Sequence, residues 1–246
     1  MSFKDRKNSI LEYLSQNREA TIEELCSVFF VSAPTIRRDL KALNEDGKII
    51  RTHGGAFLSS LPWESTPQEL REKEFVTEKD IIAKKCLELI NDGDTVMVDA
   101  SSTGLQLIKL LSTKNSIIVV TNSSKASFFS SKTGVKTFVT GGETSKTSFG
   151  YVGSFAEEFI RRFNADICFF SVSSLTLDGR LTDSSISENQ ISKTMINCSK
   201  KSVLLLNSQK IGEPQLNTLC TLNDIDFVSS EKDISDIFPQ HKEKFI

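Results

Sequence analysis

Between residues 95 and 207 the chain repeats one device: a short run of β-branched and apolar residues, then a stretch long enough for a helix. The runs are Thr95–Asp99, Ile117–Thr121, Val135–Thr140, Ile167–Val172 and Val203–Asn207. Short apolar strands without polar alternation are buried on both faces, and strands joined through helices run parallel. The pattern predicts a mostly parallel α/β sheet covered on both sides. An amphipathic helix over Glu78–Ile90, closed by Asn91-Asp-Gly93, leads into it. Ligands of such sheets bind outside the carboxyl ends of the strands.

Those ends carry polar chemistry. The first run leads into Asp99-Ala-Ser101-Ser102-Thr103 with Gly104 opening a helix, and the second ends in Thr121-Asn122. The third leads into Gly141-Gly142-Glu143, and Lys210 follows the last. Hydroxyls at a helix N-terminus, glycines that admit close backbone approach, and a lysine suit a phosphorylated small molecule. The candidate ligand set is Asp99, Ser101, Ser102, Thr103, Thr121, Asn122, Gly141, Gly142 and Lys210. For Asp99 a helix-capping role and a sugar-hydroxyl contact both remain open.

The first 57 residues read differently. Arg6–Asn17 places Ile10, Leu11 and Leu14 at helical spacing, and Thr21-Ile-Glu-Glu24 is a capping-box signature for a second helix. Ser32 then caps a third, with Pro34 tolerated in its first turn. At about 100° per residue, Ile36, Leu40 and Leu43 share one side of this helix, with Pro34, Arg38 and Lys41 opposite. Thr35 and Arg37 flank that outward face. Two short helices, a tight turn and a third helix bearing arginines form a helix-turn-helix. Lys48-Ile-Ile-Arg51 has strand character, and Gly54-Gly55 offers a hairpin tip or hinge, which makes a wing. The candidate DNA contacts are Ser32, Pro34, Thr35, Arg37, Arg38, Lys41, Arg51 and His53. Asp39 is a candidate for an internal salt bridge to a neighbouring arginine, and His53 either touches DNA from the wing tip or packs between domains.

Charge argues for placement over bulk attraction. The net charge is −2, and acidic and basic residues nearly balance in the first 57 positions, so the chain lacks a broad basic footprint. The five cysteines form no C-x-x-C pair, and with no secretion signal at the N-terminus they read as reduced thiols in a cytoplasmic protein. Only His53 and His241 are present, so a histidine-rich metal site is excluded. Neither a metal nor a cofactor is expected. The apolar runs fall far short of a membrane span.

V-S-A-P-T-I-R-R-D-L at 31–40, followed by R-T-H-G-G-A at 51–56, resembles the DeoR family of bacterial transcriptional regulators. The likeness continues through L-I-N-D-G-D-T-V-M-V-D (89–99), V-T-N-S (120–123), T-G-G (140–142) and F-G-Y-V-G (149–153). It implies a winged helix-turn-helix domain over 1–57, a linker over 58–75, and a sensor domain over 76–246 related to ribose-5-phosphate isomerase. It further implies an oligomeric repressor of carbohydrate genes that binds a double-stranded DNA operator under control of a phosphorylated sugar, and no enzymatic activity. The sequence departs from the family pattern at Ser101, where glycine is usual, at Asn207, where aspartate is usual, and at Ser171-Val-Ser-Ser174. Two alternatives follow: a sugar-phosphate isomerase using Glu143 and Lys210, or a regulator whose pocket has drifted and serves oligomerisation.

Overall fold

Ile10, Leu14, Ile22, Leu25, Ile36, Leu40 and Leu43 meet in one small core, and the first part of the chain is built around it. A computed structural model describes residues 3–17, 19–45, 49–52, 54–58, 68–145 and 148–246. The chain divides into two units, Met1–Thr66 and Pro67–Ile246.

In the first unit, α1 (Phe3–Asn17), β1 (Glu19–Thr21), α2 (Ile22–Phe29) and α3 (Ala33–Glu45) are followed by β2 (Ile49–Arg51) and β3 (Gly55–Leu58). The capping box forms: the Glu24 N–H donates to Thr21 Oγ1 at 3.1 Å, and the Thr21 N–H to Glu24 Oε2 at 2.8 Å. These two bonds hold the Glu24 carboxyl below its usual range. The strands form an antiparallel sheet in the order β1-β3-β2. β1 is an addition to the sequence reading, because three residues are too few to show alternation. It changes the meaning of the glycine pair. A Cβ on Gly55 would lie 2.1 Å from the Ala20 carbonyl oxygen, so β1 requires glycine there, and the Gly54 carbonyl accepts the Ile22 N–H at 2.7 Å. His53 lies outside the described residues.

Asp39 is fully buried. Its partner is Arg6 of α1, bonded through both Nε and Nη2. The candidate internal salt bridge of Asp39 is thus made to an arginine of another helix. On a helix, i±1 side chains do not face each other, and Asp39 lies on the buried side with Ile36 and Leu43.

The second unit opens with α4 (Gln68–Lys73) and α5 (Val76–Glu88), then β4 (Thr95–Val98), α6 (Ser102–Leu110), β5 (Ile118–Thr121), α7 (Ser124–Thr133) and β6 (Lys136–Val139). An antiparallel pair, β7 (Glu143–Thr144) and β8 (Tyr151–Val152), precedes α8 (Ser154–Ile160), β9 (Ile167–Phe170), β10 (Ser174–Leu175) and β11 (Arg180–Asp183). α9 (Ile186–Asn197), β12 (Ser202–Leu206), β13 (Asn217–Thr221) and β14 (Phe227–Ser230) complete it. Residues 68–73, inside the stretch expected to be linker, are thus helical. Their Gln-Glu-Leu-Arg-Glu-Lys composition favours a helix once the preceding Pro67 is passed.

Six parallel strands run in the order β14-β12-β9-β4-β5-β6. Met97, Val120, Cys168, Phe170, Leu204 and Leu206 fill one side of the sheet, beside residues of α8 and α9. Val96, Val98, Val119, Phe169, Val203 and Leu205 fill the other, beside residues of α5 and α6. Every anticipated strand is present. β14 and the small antiparallel sheet β10-β11-β13 are additions. The chain steps outward from β4 to β5 and β6, then returns on the far side of β4 as β9. The carboxyl ends of β4 and β9 therefore flank a topological switch point, where such sheets open a crevice.

Candidate functional site

In the first unit the expected contact face is on the surface. Pro34, Arg37, Arg38 and Lys41 are exposed on α3, while Ile36, Leu40 and Leu43 are buried. Ser32 precedes the helix, its carbonyl accepting the Ile36 N–H at 3.1 Å, and its hydroxyl lies 3.1 Å from that of Thr35. Lys41 makes a long ion pair with Glu45 at 3.9 Å, of a kind worth little in water. The Arg51 N–H donates to Asn44 Oδ1 at 3.1 Å, which ties β2 to the end of α3 and places the exposed Arg51 beside it.

In the second unit a recess opens at the switch point. Asp99, immediately after β4, is 7% exposed and holds the two flanking loops together. Its Oδ1 accepts the Ser101 N–H at 3.0 Å, and its Oδ2 the Ser171 N–H, beyond β9, at 2.8 Å. Burial pushes its carboxyl up to about 6 against these bonds. Ser101 has φ −65° and ψ 156°, and its Oγ accepts the Gly104 N–H at 3.0 Å as the N-cap of α6. No positive φ is needed here, so serine fits where the family usually has glycine. The first N–H groups of α6 have no intrahelical acceptor, and Ser101 and Ser102 line the recess.

Lys210 enters from the loop after β12. Its ammonium donates to the Val172 carbonyl at 2.7 Å and to Ser171 Oγ at 2.9 Å. Desolvation first, then the charge of Arg71, lowers it to about 8. Asn122, after β5, donates from Nδ2 to the Tyr151 carbonyl at 2.9 Å. That bond fixes the orientation of its amide. Its Oδ1 is buried with no hydrogen-bond partner among the described residues. An orphaned buried acceptor is costly and marks a place for a donor.

The recess thus gathers Asp99, Ser101, Ser102, Asn122 and Lys210 of the expected set. It leaves out four. Thr103 is buried within α6, and Thr121 Oγ1 accepts the Ser123 N–H at 3.0 Å. Gly141 and Gly142 form the turn after β6, with φ of 65° and 116°, and a Cβ on Gly142 would sit 2.8 Å from the Val152 carbonyl oxygen. β6 is two strands from β4, about 10 Å at ordinary strand spacing, so its glycines serve the local turn. Glu143 is exposed on β7 and does not line the recess.

Sequence reasoning missed Arg71, Ser148, Ser171, Ser173, Asp183, Glu188, Asn189 and Ser192, all in the lining. Asp183 accepts the N–H groups of Ser173 and Ser185 at 2.9 and 3.0 Å. Glu188 accepts the Ser148 hydroxyl at 2.7 Å. The Ser185–Glu188 spacing advertises only a helix cap, which it also is. Nothing local distinguishes a capping carboxylate from one that faces a recess. Among the described residues no group of three or more His, Cys, Asp or Glu could hold a metal ion, and no helix is long and apolar enough to cross a membrane.

Comparison with known proteins gives two family matches. The DeoR-like helix-turn-helix domain covers residues 6–60, and the DeoR C-terminal sensor domain covers residues 74–232. The HTH-type transcriptional regulator GolR of Listeria innocua serovar 6a is 32% identical over 94% of this chain and 91% of its own. The glycerol-3-phosphate regulon repressor of Escherichia coli K12 is 30% identical over 92% of this chain and 90% of its own. Among solved structures, translation initiation factor eIF-2B of Pyrococcus horikoshii OT3 aligns with a TM-score of 0.50 at 13% identity, over 92% of this chain and 82% of that one. That last likeness is one of fold alone.

Proposed function

Because this chain belongs to the DeoR family of transcriptional regulators, we propose that it represses genes of carbohydrate use and is released from DNA by a phosphorylated sugar or related metabolite. α3 lies in the major groove, with Thr35 and Arg38 toward base edges. Arg37, Lys41 and Arg51 hold backbone phosphates, which take most contacts in such complexes. Copies of the chain assemble as a homo-oligomer so that paired half-sites are read together.

The metabolite enters the recess between β4 and β9. One observation carries this reading: the amino end of α6, the Lys210 ammonium and the orphaned Asn122 Oδ1 line one crevice at the switch point. The first two suit an anionic phosphate and the third a sugar hydroxyl. Control requires the metabolite to bind the DNA-competent and the released arrangements with different affinity. The isomerase alternative loses its nominated base, since Glu143 is exposed away from the recess. Both oxygens of Asp99 and of Asp183 already accept backbone N–H groups, which supports a positioning role for them.

A mobility shift on the promoter region of the protein's own gene tests the reading. A sequence-specific complex is expected, dissociated by a sugar phosphate. Arg38→Ala should weaken it by about 1–3 kcal/mol while leaving binding to unrelated DNA nearly unchanged. Absence of any specific complex at moderate salt overturns the DNA assignment.

A further inference from the structure

Arg71 does not come from a strand end. It sits on α4, the first element after the boundary between the two units, four residues beyond Pro67. Yet it lines the same recess as Asp99, Ser101 and Lys210. Two cationic side chains therefore converge there from opposite origins, Lys210 from the sheet and Arg71 from the segment that leads to the DNA-binding unit. The charge of Arg71 is among the causes that lower Lys210. Asp183 and Asp99, in the same lining, act on Lys210 in the opposite sense.

The cavity volume is about 40 Å³, room for about three waters. The elements that line it are held in different ways. The ends of β4 and β9 are pinned by Asp99 and by the six-stranded sheet. α4 is attached by polar tethers. Gln68 Oε1 accepts the Phe149 N–H at 2.7 Å, and Glu72 pairs with Lys125 at 2.7 Å. The Lys79 ammonium bonds the main-chain carbonyls of Arg71 and Glu74. Gln68 is 2% exposed, and its Nε2 has no hydrogen-bond partner among the described residues. A buried donor left unsatisfied marks a seat that is not the best possible one for this helix.

We propose that Arg71 contacts the phosphate of the bound metabolite and that α4 thereby registers whether the pocket is filled. This rests on the phosphorylated-ligand reading above and adds the route by which occupancy leaves the site. The guanidinium fork suits a phosphate bidentately.

Titration calorimetry and amide hydrogen exchange on the full chain test this, with inorganic phosphate and glycerol 3-phosphate as probes. In the wild type, a probe at ten times its dissociation constant should slow exchange across 68–73 by about tenfold. Arg71→Gln should weaken binding about ten- to hundredfold. At saturating probe it should lose the 68–73 response while keeping protection at 99–104. The Lys79 tether reaches Arg71 through its carbonyl, so this substitution leaves it intact. Arg71→Lys, which keeps the charge and loses the fork, should bind with intermediate affinity and confirms folding if the glutamine variant is unstable. Binding in the wild type without a 68–73 response, or a response that survives Arg71→Gln, overturns the inference and leaves the ligand reading standing. If the wild type binds neither probe, both fall together.

Discussion

Two residues show how strongly surroundings set the behaviour of a side chain. Phe30 caps the end of α2 with φ 53° and ψ 44° while 91% exposed. It packs little and sits in the left-handed region, which costs an L-residue roughly 1–2 kcal/mol. Phe30→Gly should therefore stabilise the first unit by about 1 kcal/mol in chemical denaturation, after allowing for the greater freedom of glycine in the unfolded chain. Loss of stability would show that the ring contributes contacts outweighing the backbone strain. Lys210, lowered to about 8 mainly by desolvation, predicts two pH dependences of opposite sign. The unfolded chain binds the extra proton between pH 8 and the ordinary lysine value, so this residue's contribution to stability rises with pH there and is lost as pH falls through about 8. Phosphate affinity goes the other way and should decline above about pH 8, as the ammonium deprotonates. Lys210→Met should flatten both profiles.

At the scale of elements, α3 owes its setting to a buried ion pair as well as to its apolar stripe. Arg6 of α1 reaches the buried Asp39 carboxylate with two nitrogens, which fixes how α3 lies on α1. Removing one partner from such a pair is expensive because it strands the other charge. Arg6→Ala should destabilise the first unit by about 3–5 kcal/mol, whereas Arg6→Met combined with Asp39→Leu should recover most of that loss. A double-mutant cycle in urea measures it, and additive effects would refute the coupling. Five of the six strands of the second unit's main sheet were legible, because each of those runs is rich in apolar and β-branched residues, whereas β14, ending in Ser229 and Ser230, was not. The antiparallel sheet β10-β11-β13 was not, since strands of two to five residues with mixed polarity carry no periodic signal.

For the whole molecule, the near-neutral charge means that DNA binding rests on a few placed cations. Arg37, Arg38, Lys41 and Arg51 are exposed on α3 and the wing. If all four meet phosphates or bases, log K should fall against log salt with a slope of about −3.5 per bound copy. Filter binding over a salt series measures it, and a slope twice as steep would place further cations on the DNA. The sequence by itself determined the kind of molecule this is. A capped helix with Thr35, Arg37 and Arg38 beside an apolar stripe, and a succession of apolar strands, are local patterns whose periods dictate helix and strand. Only the tertiary structure decided which polar groups meet. Asp99 and Ser171 lie 72 positions apart and touch because β4 and β9 are neighbours. Arg71 reaches Lys210's recess from a helix the sequence offered as linker, and Gly141 and Gly142 miss it because β6 lies two strands away. Strand order is set by long-range burial, to which no local pattern refers, and the composition of the pocket follows from that order.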